Sequence, residues 1–251
     1  MKKVNTTANA AIIVIGNEIL SGRTQDINVS FLCKWLNDLG VRVTEVRIIE
    51  DNEDSIVKNV NELKNKFKYI FTTGGIGPTH DDITSKSIAK AFNIKYDFHK
   101  EAYEILEKYY TPEKFNEGRK KMAKIPENAK LIYNPSSGAP GFIVKNVFCL
   151  PGVPSILKSM IYGLKDKIIG GNKILSQTIT IQTVESEIAQ SLEDVQKKFK
   201  NVEIGSYPFF RLGKIGVSIV IRSTIKNEID ECYKEIVNFI KKNKIQMVEK
   251  Y

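Results

Sequence analysis

The 251-residue sequence has few cysteines and no long apolar run. Its three cysteines, Cys33, Cys149 and Cys232, are odd in number, lie far apart and form no CxxC pair. This spacing argues against a disulfide framework and against a zinc cluster. The apolar run at residues 10–15 is much shorter than a secretory signal core or the roughly 18 residues of a membrane span. We therefore expect a soluble, cytoplasmic protein that does not associate with a membrane.

Positive charge exceeds negative charge along the whole chain. Lysine and arginine number 38 against 29 aspartate and glutamate residues, a net charge of +9 that divides into +6 for residues 1–170 and +3 for residues 171–251. Such an excess is compatible with nucleic acid or with a small phosphate-bearing partner. Because the excess is spread out, and because the sequence has no RNP pattern, we expect a small phosphate-bearing ligand rather than nucleic acid.

Strand and helix patterns alternate along the first two thirds of the chain. Apolar runs predict strands at residues 10–15, 41–49, 69–72 and 142–150. Helical spacing predicts helices at residues 27–39, 54–66 and 84–92, helical structure with a break at Pro112 over residues 97–125, and one more helix that reaches residue 164. This order predicts an α/β fold, a three-layer sandwich whose mostly parallel sheet has helices on both faces. Gly170 and Gly171 are the best linker, which gives domains at residues 1–170 and 171–251. The β-α-β-β-α order of elements in the second domain predicts a small α+β split-βαβ fold.

The sharpest local signal is the segment TTGGIGPTHDDIT at residues 72–84. It follows a predicted strand and precedes a predicted helix, and ligands of open α/β sheets bind beyond the carboxyl ends of the strands. Glycines at positions 74, 75 and 77 lack Cβ atoms, so their backbone N–H groups can approach an anion at the start of the helix. The alternative is that these glycines and Pro78 only make a tight turn.

Two carboxylates, Asp81 and Asp82, follow the glycines. Carboxylates beside phosphate-binding amides repel the ligand unless a divalent cation neutralises them, and Mg²⁺ favours few protein carboxylates together with phosphate oxygens. The pair therefore indicates metal-assisted phosphate binding, unless one aspartate only caps the following helix. A basic run at residues 119–121 is either a solvated helix face or the source of one side chain that reaches a ligand phosphate.

Several blocks, in order along the chain, resemble one known family. The glycine loop resembles the molybdopterin-binding fold of MogA, MoaB and gephyrin, and the chain is more closely similar to the N-terminal part of the CinA (competence/damage-inducible protein A) family. The similarity extends to IGNEILSG at residues 15–22 with Asp26 and Asn28, to NPSSGAPGF at 134–142 and to LPGVPS at 150–155. The tail from residue 171 resembles the small KH-like domain that follows in CinA, including ESE at 185–187 and SYP at 206–208.

The resemblance implies a set of site residues. Asp51 and Asp82 match functional aspartates of the family, which implies a catalytic role for both and, together with Glu18, the binding of a divalent metal such as Mg²⁺, Mn²⁺ or Co²⁺. The family's first loop often reads Gly-Asp-Glu, whereas Asn17 takes the middle position here and removes one potential metal carboxylate. The residues expected around the substrate are Thr73, Gly74, Gly75, Gly77, Thr79, Ser137, Gly138 and Pro140.

The resemblance also implies an activity. CinA-like domains are associated with metal-dependent hydrolysis of the pyrophosphate bond of a dinucleotide-type diphosphate such as ADP-ribose or FAD. The alternative is a molybdopterin-binding protein that binds a pterin phosphate or transfers an adenylyl group, and a nucleic-acid accessory role ranks last. The amidohydrolase domain of long CinA proteins has no counterpart in the sequence, so we expect no nicotinamide-nucleotide deamidation. Because relatives of this fold form dimers or trimers, a homo-oligomer is expected.

Overall fold

The computed structural model describes residues 8–211 and 213–248. The basic residues at the start of the sequence, Lys2 and Lys3, lie outside this part of the chain. The chain divides into two compact units, one ending at Gly171 and the other beginning at Asn172. Within the described residues, none of the helices combines the length and the apolar character that crossing a membrane requires.

The first unit mixes strands and helices. Its strands are β1 (Ala8–Ile15), β2 (Val41–Ile49), β3 (Tyr69–Thr73), β4 (Tyr96–Phe98), β5 (Lys124–Pro126), β6 (Lys130–Ile132), β7 (Gly141–Val144) and β8 (Val147–Leu150). Its helices are α1 (Asn17–Leu20), α2 (Asn28–Asp38), α3 (Glu53–Leu63), α4 (Thr84–Phe92), α5 (Lys100–Tyr109), α6 (Glu117–Lys121) and α7 (Pro154–Ile161), with 3-10 turns at Pro112–Lys114 and Tyr162–Lys167.

Six of these strands form one sheet in the order β2-β1-β3-β8-β7-β6. The first four run parallel, whereas β7 is antiparallel to β8 and to β6. The β1 side chains alternate between two buried cores. One core contains Ile13 with residues of α3, α4 and α5, and the other contains Ile12 with residues of α2 and α7. Helices therefore cover both faces of the sheet, and the predicted three-layer arrangement is confirmed.

One local prediction in this unit is wrong, and another is correct only in part. Residues 142–150 were expected to form one strand but form the β7–β8 hairpin, because the chain reverses at Lys145 and Asn146 without a glycine or proline to mark the turn. Residues 97–125 were expected to be helical with a break at Pro112. The helices α5 and α6 and the break between them are present, but the two ends of the segment form the short strands β4 and β5. These strands pair with each other across α5 and α6, a contact between distant residues that overrides local helical spacing.

The second unit is a small α+β domain. Its elements are β9 (Leu175–Gln182), α8 (Glu185–Lys198), β10 (Glu203–Arg211), β11 (Lys214–Ser223), α9 (Lys226–Lys242) and β12 (Gln246–Met247), with the sheet order β10-β11-β9-β12. Both β9 and β10 are antiparallel to β11, so they are parallel to each other with one strand between them. This is the predicted split-βαβ arrangement. Its core packs Ile179 and Ile219 of the sheet against Ile188 of α8 and Ile236 of α9.

Candidate functional site

The carboxyl ends of β2, β1, β3 and β8 meet at one edge of the first unit's sheet. The register pairs Ile15 with Ile49 and Thr73 with Leu150, so the loops that follow these four strands emerge side by side. The Gly74 N–H donates a hydrogen bond to the Leu150 carbonyl at 3.0 Å, which joins two of the loops directly. The predicted site residues before position 84 lie at this edge, where parallel sheets bind ligands.

The glycine loop after β3 needs glycine at two consecutive positions. Gly74 and Gly75 have φ of +97° and +69°. A Cβ on Gly74 would lie 2.2 Å from the Ile15 carbonyl oxygen, and one on Gly75 would lie 2.2 Å from Thr84 Oγ1. Thr84, the first residue of α4, donates from Oγ1 to the Gly74 carbonyl at 2.9 Å and from its N–H to the Gly75 carbonyl at 2.9 Å. The start of α4 therefore fixes the conformation of the loop.

Three backbone N–H groups of this loop are free. Those of Gly75, Ile76 and Gly77 donate to no residue in the described part of the chain. In contrast, Thr73 lies within β3 and is only 1% exposed, and the Gly74 N–H is bonded to β8. Because the sheet uses the backbone of Thr73 and Gly74, the N–H groups that remain available to an anion are those of residues 75–77, which we call the anion cradle. Successive free N–H groups after left-handed residues form an anion-binding concavity.

The Asp82 carboxylate lies directly against this cradle. A Cβ on Gly77 would lie 2.7 Å from Asp82 Oδ2. The same oxygen accepts hydrogen bonds from Thr79 N–H at 2.7 Å and from Thr79 Oγ1 at 2.6 Å. The pKa of the neighbouring Asp81 carboxyl is lowered, first by a hydrogen bond from the Thr79 hydroxyl and second by one from the Asp81 backbone N–H. Neither aspartate caps α4, whose N-cap residue is Ile83 without a side-chain bond, so the capping alternative is wrong.

Helix α6 packs on the same loop. Lys121 Nζ donates to the Thr79 carbonyl oxygen, and a Cβ on Gly118 would lie 3.3 Å from the Pro78 carbonyl oxygen. The other two basic side chains of this run are engaged elsewhere: Arg119 lies over a tyrosine ring, and Lys120 pairs with Glu117 at 2.8 Å. Of these three basic side chains, that of Lys121 therefore reaches the loop. It binds the backbone carbonyl of Thr79, the residue that positions Asp82.

Asp51 joins the loops after β1 and β2. Its Oδ2 accepts from the Asn17 N–H at 2.8 Å, and the Asp51 N–H donates to Asn17 Oδ1 at 3.4 Å. Asn17 occupies the position where the family often has an aspartate. Its side-chain carbonyl accepts a hydrogen bond from the Asp51 backbone N–H. Glu18 is exposed and lies over Gly16, where a Cβ would be 2.6 Å from Glu18 Oε1.

The acidic side chains do not form a ready-made metal cluster. In residues 8–211 and 213–248, no group of three or more His, Cys, Asp and Glu side chains is placed to hold a metal ion, so Glu18, Asp51 and Asp82 are not one assembled site. Asp51 and Asp82 each keep one oxygen, Oδ1, that accepts no bond from the described residues. Mg²⁺ is commonly bound by one or two carboxylates plus substrate phosphates. Each of these aspartates therefore keeps an oxygen with the chemistry that such an ion requires.

The second predicted substrate segment is built around Asn134. Its side chain donates to Ser137 Oγ at 2.7 Å and accepts from Ser137 N–H at 3.1 Å. Gly138 is buried under a ring, since a Cβ there would lie 2.6 Å from Tyr109, and Pro140 is also buried. Of the three residues expected around the substrate here, only Ser137 is partly exposed, whereas the other two shape the loop.

Sequence reasoning missed some supporting contacts. Asn28, at the start of α2, is 4% exposed and donates from Nδ2 to the Gly152 carbonyl at 2.8 Å, which ties α2 to the turn after β8. The Tyr109 ring packs against the loop at Gly138, but in the sequence Tyr109 looks like any other helix residue. Asn28 lay within a block that the family resemblance had marked, whereas nothing in the sequence singled out Tyr109.

Comparison with known proteins gives matches to both units. Residues 11–171 match the family described as "Probable molybdopterin binding domain", and residues 173–249 match "FAD synthase, middle domain". An Archaeoglobus fulgidus protein is 34% identical over 197 residues, which cover 78% of this chain and 84% of that protein. A "Probable FAD synthase" from Caenorhabditis elegans is 32% identical over 225 residues, but these cover 79% of this chain and only 43% of that protein.

One solved structure supports the fold of the first unit. A crystal structure of a protein CinA of unknown function from Thermoplasma acidophilum matches with a TM-score of 0.61 and 31% identity, over 64% of this chain and 98% of that one. The expected CinA-like family and molybdopterin-binding-type fold of the first unit are thereby confirmed. The KH-like assignment of the second unit is not confirmed, because the match there is to the FAD synthase middle domain.

Proposed function

Because the chain belongs to the family of the probable molybdopterin binding domain and is CinA-like within it, we propose that it is a metal-dependent nucleotide pyrophosphatase that acts on a dinucleotide-type diphosphate such as ADP-ribose or FAD. The observation that carries the proposal is the juxtaposition of the free N–H groups at residues 75–77 with the Asp82 carboxylate. Donors for phosphate oxygens and a carboxylate for a cation are both required where a phosphoric anhydride is cleaved.

The proposed roles follow from what each group can donate or accept. The N–H groups at residues 75–77 bind phosphate oxygens, and the N-terminus of α4 adds favourable potential for the anion. Thr79 holds Asp82 beside the cradle, and the Asn17 N–H holds Asp51 on the neighbouring loop. A divalent cation (Mg²⁺, Mn²⁺ or Co²⁺), held by Asp82 and Asp51 with Glu18 as a further candidate, would neutralise phosphate charge and lower the pKa of a bound water.

The remainder of the substrate would extend toward the segment at residues 134–141. Ser137 supplies a partly exposed polar side chain there, while Gly138 and Pro140 set the course of the backbone. The similarity to a "Probable FAD synthase" supports an adenylyl-containing dinucleotide as the substrate class. A protein that binds a pterin phosphate, or transfers an adenylyl group to it, is the second candidate, and the family description of residues 11–171 favours it.

Product analysis separates the two candidates. We expect the purified chain to release AMP from ADP-ribose or FAD in the presence of Mg²⁺, Mn²⁺ or Co²⁺, and to stop when a chelator removes the metal, since the charge on the diphosphate is then no longer neutralised. Nucleotide products are separated by chromatography after incubation with each substrate and metal pair. Absence of AMP from both substrates with all three metals would refute the pyrophosphatase, and tight molybdopterin binding without hydrolysis would support the second candidate.

Removing the Lys121 ammonium should slow the reaction without unfolding the protein. In Lys121→Met the Thr79 carbonyl loses its bond to α6, so Asp82 is positioned less firmly. We expect kcat/KM for AMP release to fall about tenfold, which corresponds to roughly 1.4 kcal/mol. Lys121→Arg should restore most of the activity, because it keeps a cationic donor. Lys120→Met is the matched control on the same helix, and an equal loss of activity in both methionine variants would contradict the positioning role.

A further inference from the structure

A cavity lies at the opposite edge of the first unit's sheet from the glycine loop. Its volume is about 560 Å³, within the usual range for small-molecule pockets. Ile143 of β7 and Phe148 of β8 contribute an apolar lining and are 7% and 4% exposed. The cavity is at the amino ends of β3 and β8, where the Ile70 N–H donates to the Asn146 carbonyl. The length of β3, roughly 15 Å at about 3.3 Å per residue, separates it from the glycine loop.

Three lysines surround this cavity: Lys130 on β6, Lys145 on the β7–β8 turn and Lys167 at the end of a 3-10 turn. None of them forms an ion pair with a carboxylate in the described part of the chain. Lys167 Nζ donates to a backbone carbonyl of β6 at 3.4 Å. Glu127 is the only acidic residue of the lining, which therefore carries a net charge of +2. This lining therefore contributes to the net charge of +9, and none of its lysines belongs to the candidate site at the glycine loop.

Lys145 occupies a backbone position that favours glycine. It has a φ of +52°, whereas Asn146 does not have a positive φ, and a two-residue hairpin turn with this pattern prefers glycine first. The Asn146 side chain secures the turn by donating to two carbonyls before β3, at 3.0 and 2.8 Å. The Lys145 ammonium lies 5.2 Å from the Phe92 ring centroid. Glycine would relieve the backbone at this position, so the cationic side chain is what lysine adds to the cavity.

We propose that this cavity binds an organic phosphate monoester. The phosphate group would lie among the ammonium groups of Lys130, Lys145 and Lys167, and the apolar body of the ligand would pack on Ile143 and Phe148. A monoester phosphate carries a charge near −2 at neutral pH, which the lining neutralises. A monocarboxylate would leave half of that positive charge unmatched, and inorganic phosphate would leave the apolar floor uncovered.

Titration of the full chain with phenyl phosphate tests the proposal. We expect saturable binding by calorimetry, with changes in the backbone amide NMR signals around Lys130, Ile143 and Lys145. Benzoate and inorganic phosphate should bind more weakly, because benzoate lacks the phosphate group and inorganic phosphate lacks the apolar ring. In Lys145→Gly the turn conformation is relieved, so the protein should stay folded while phenyl phosphate binds about tenfold more weakly, as expected for one lost charge-assisted contact. Lys34→Ala, which removes an equal charge from an exposed position of α2, should leave the affinity within about twofold.

Several results would overturn the proposal. These are the absence of saturable binding, an unchanged affinity in both Lys145→Gly and the second variant Lys130→Gln, or benzoate binding as tightly as phenyl phosphate. NMR changes confined to the amides of residues 75–77 would also overturn it, because the phosphate would then be bound at the glycine loop. The proposal does not depend on hydrolysis, so a failure of the pyrophosphatase assay leaves this test unaffected.

Discussion

Asp82→Asn is expected to remove nearly all AMP release from the proposed diphosphate substrate while the protein stays folded. Asparagine keeps the shape of the side chain, and its carbonyl can still accept the Thr79 N–H bond that closes the loop. The substitution removes the negative charge proposed to hold a divalent cation beside the free N–H groups. Such a cation supplies several kcal/mol of charge stabilisation, so we expect kcat/KM to fall about a thousandfold. The measurement is steady-state AMP release together with thermal unfolding.

The adjacent carboxylate provides the matched control for this variant. Asp81 is exposed and differs from Asp82 in lying away from the Gly77 backbone contact. Asp81→Asn removes the same charge from the same loop, yet we expect it to keep activity within about threefold, since an exposed charge is largely screened by solvent. An active Asp82→Asn protein, or an equal loss in both variants, would show that the position of the Asp82 carboxylate has no special role.

The order of elements along the chain was predictable because it rests on local periodicity. The buried apolar runs of β1 and β3 and the one-sided apolar faces of α3 and α4 are each visible within about ten residues of sequence. The β7–β8 hairpin was missed for a physical reason. Its turn uses Lys145 in a left-handed conformation and is secured by Asn146 contacts with the segment before β3, about eighty residues earlier in the sequence. No local rule reports a contact over that separation.

The candidate site was likewise predictable only where it depends on local sequence. Glycine spacing and the neighbouring carboxylates located the loop after β3 correctly at the carboxyl edge of the sheet. Sequence could not tell which N–H groups of that loop are free, because the Gly74 N–H is taken by Leu150, a residue of another strand. It also could not show that Asp82 holds Thr79 rather than capping α4, or that Lys121 holds the same threonine from another helix. These are tertiary contacts, and they determine what the loop can bind.

Gly74→Ala is expected to destabilise the first unit strongly. The native φ of +97° is strained for any residue with a Cβ, which costs about 1–3 kcal/mol. The added Cβ would also lie 2.2 Å from the Ile15 carbonyl oxygen, so β1 and the loop must move apart, at a further cost of about 1–3 kcal/mol. We expect the free energy of unfolding of the first unit to fall by about 4 kcal/mol, measured by denaturant titration.

Gly22→Ala isolates the cause of that loss. Gly22 also has a positive φ, +72°, but a Cβ there would meet nothing within 4 Å. Its cost should therefore be the backbone strain alone, about 1–2 kcal/mol. The difference between the two variants measures how closely the loop after β3 must approach β1. Equal losses in Gly74→Ala and Gly22→Ala would mean that the loop can move away from Ile15 freely. The N–H groups at residues 75–77 would then not be held in place beside Asp82, and the proposed anion cradle would lose its structural basis.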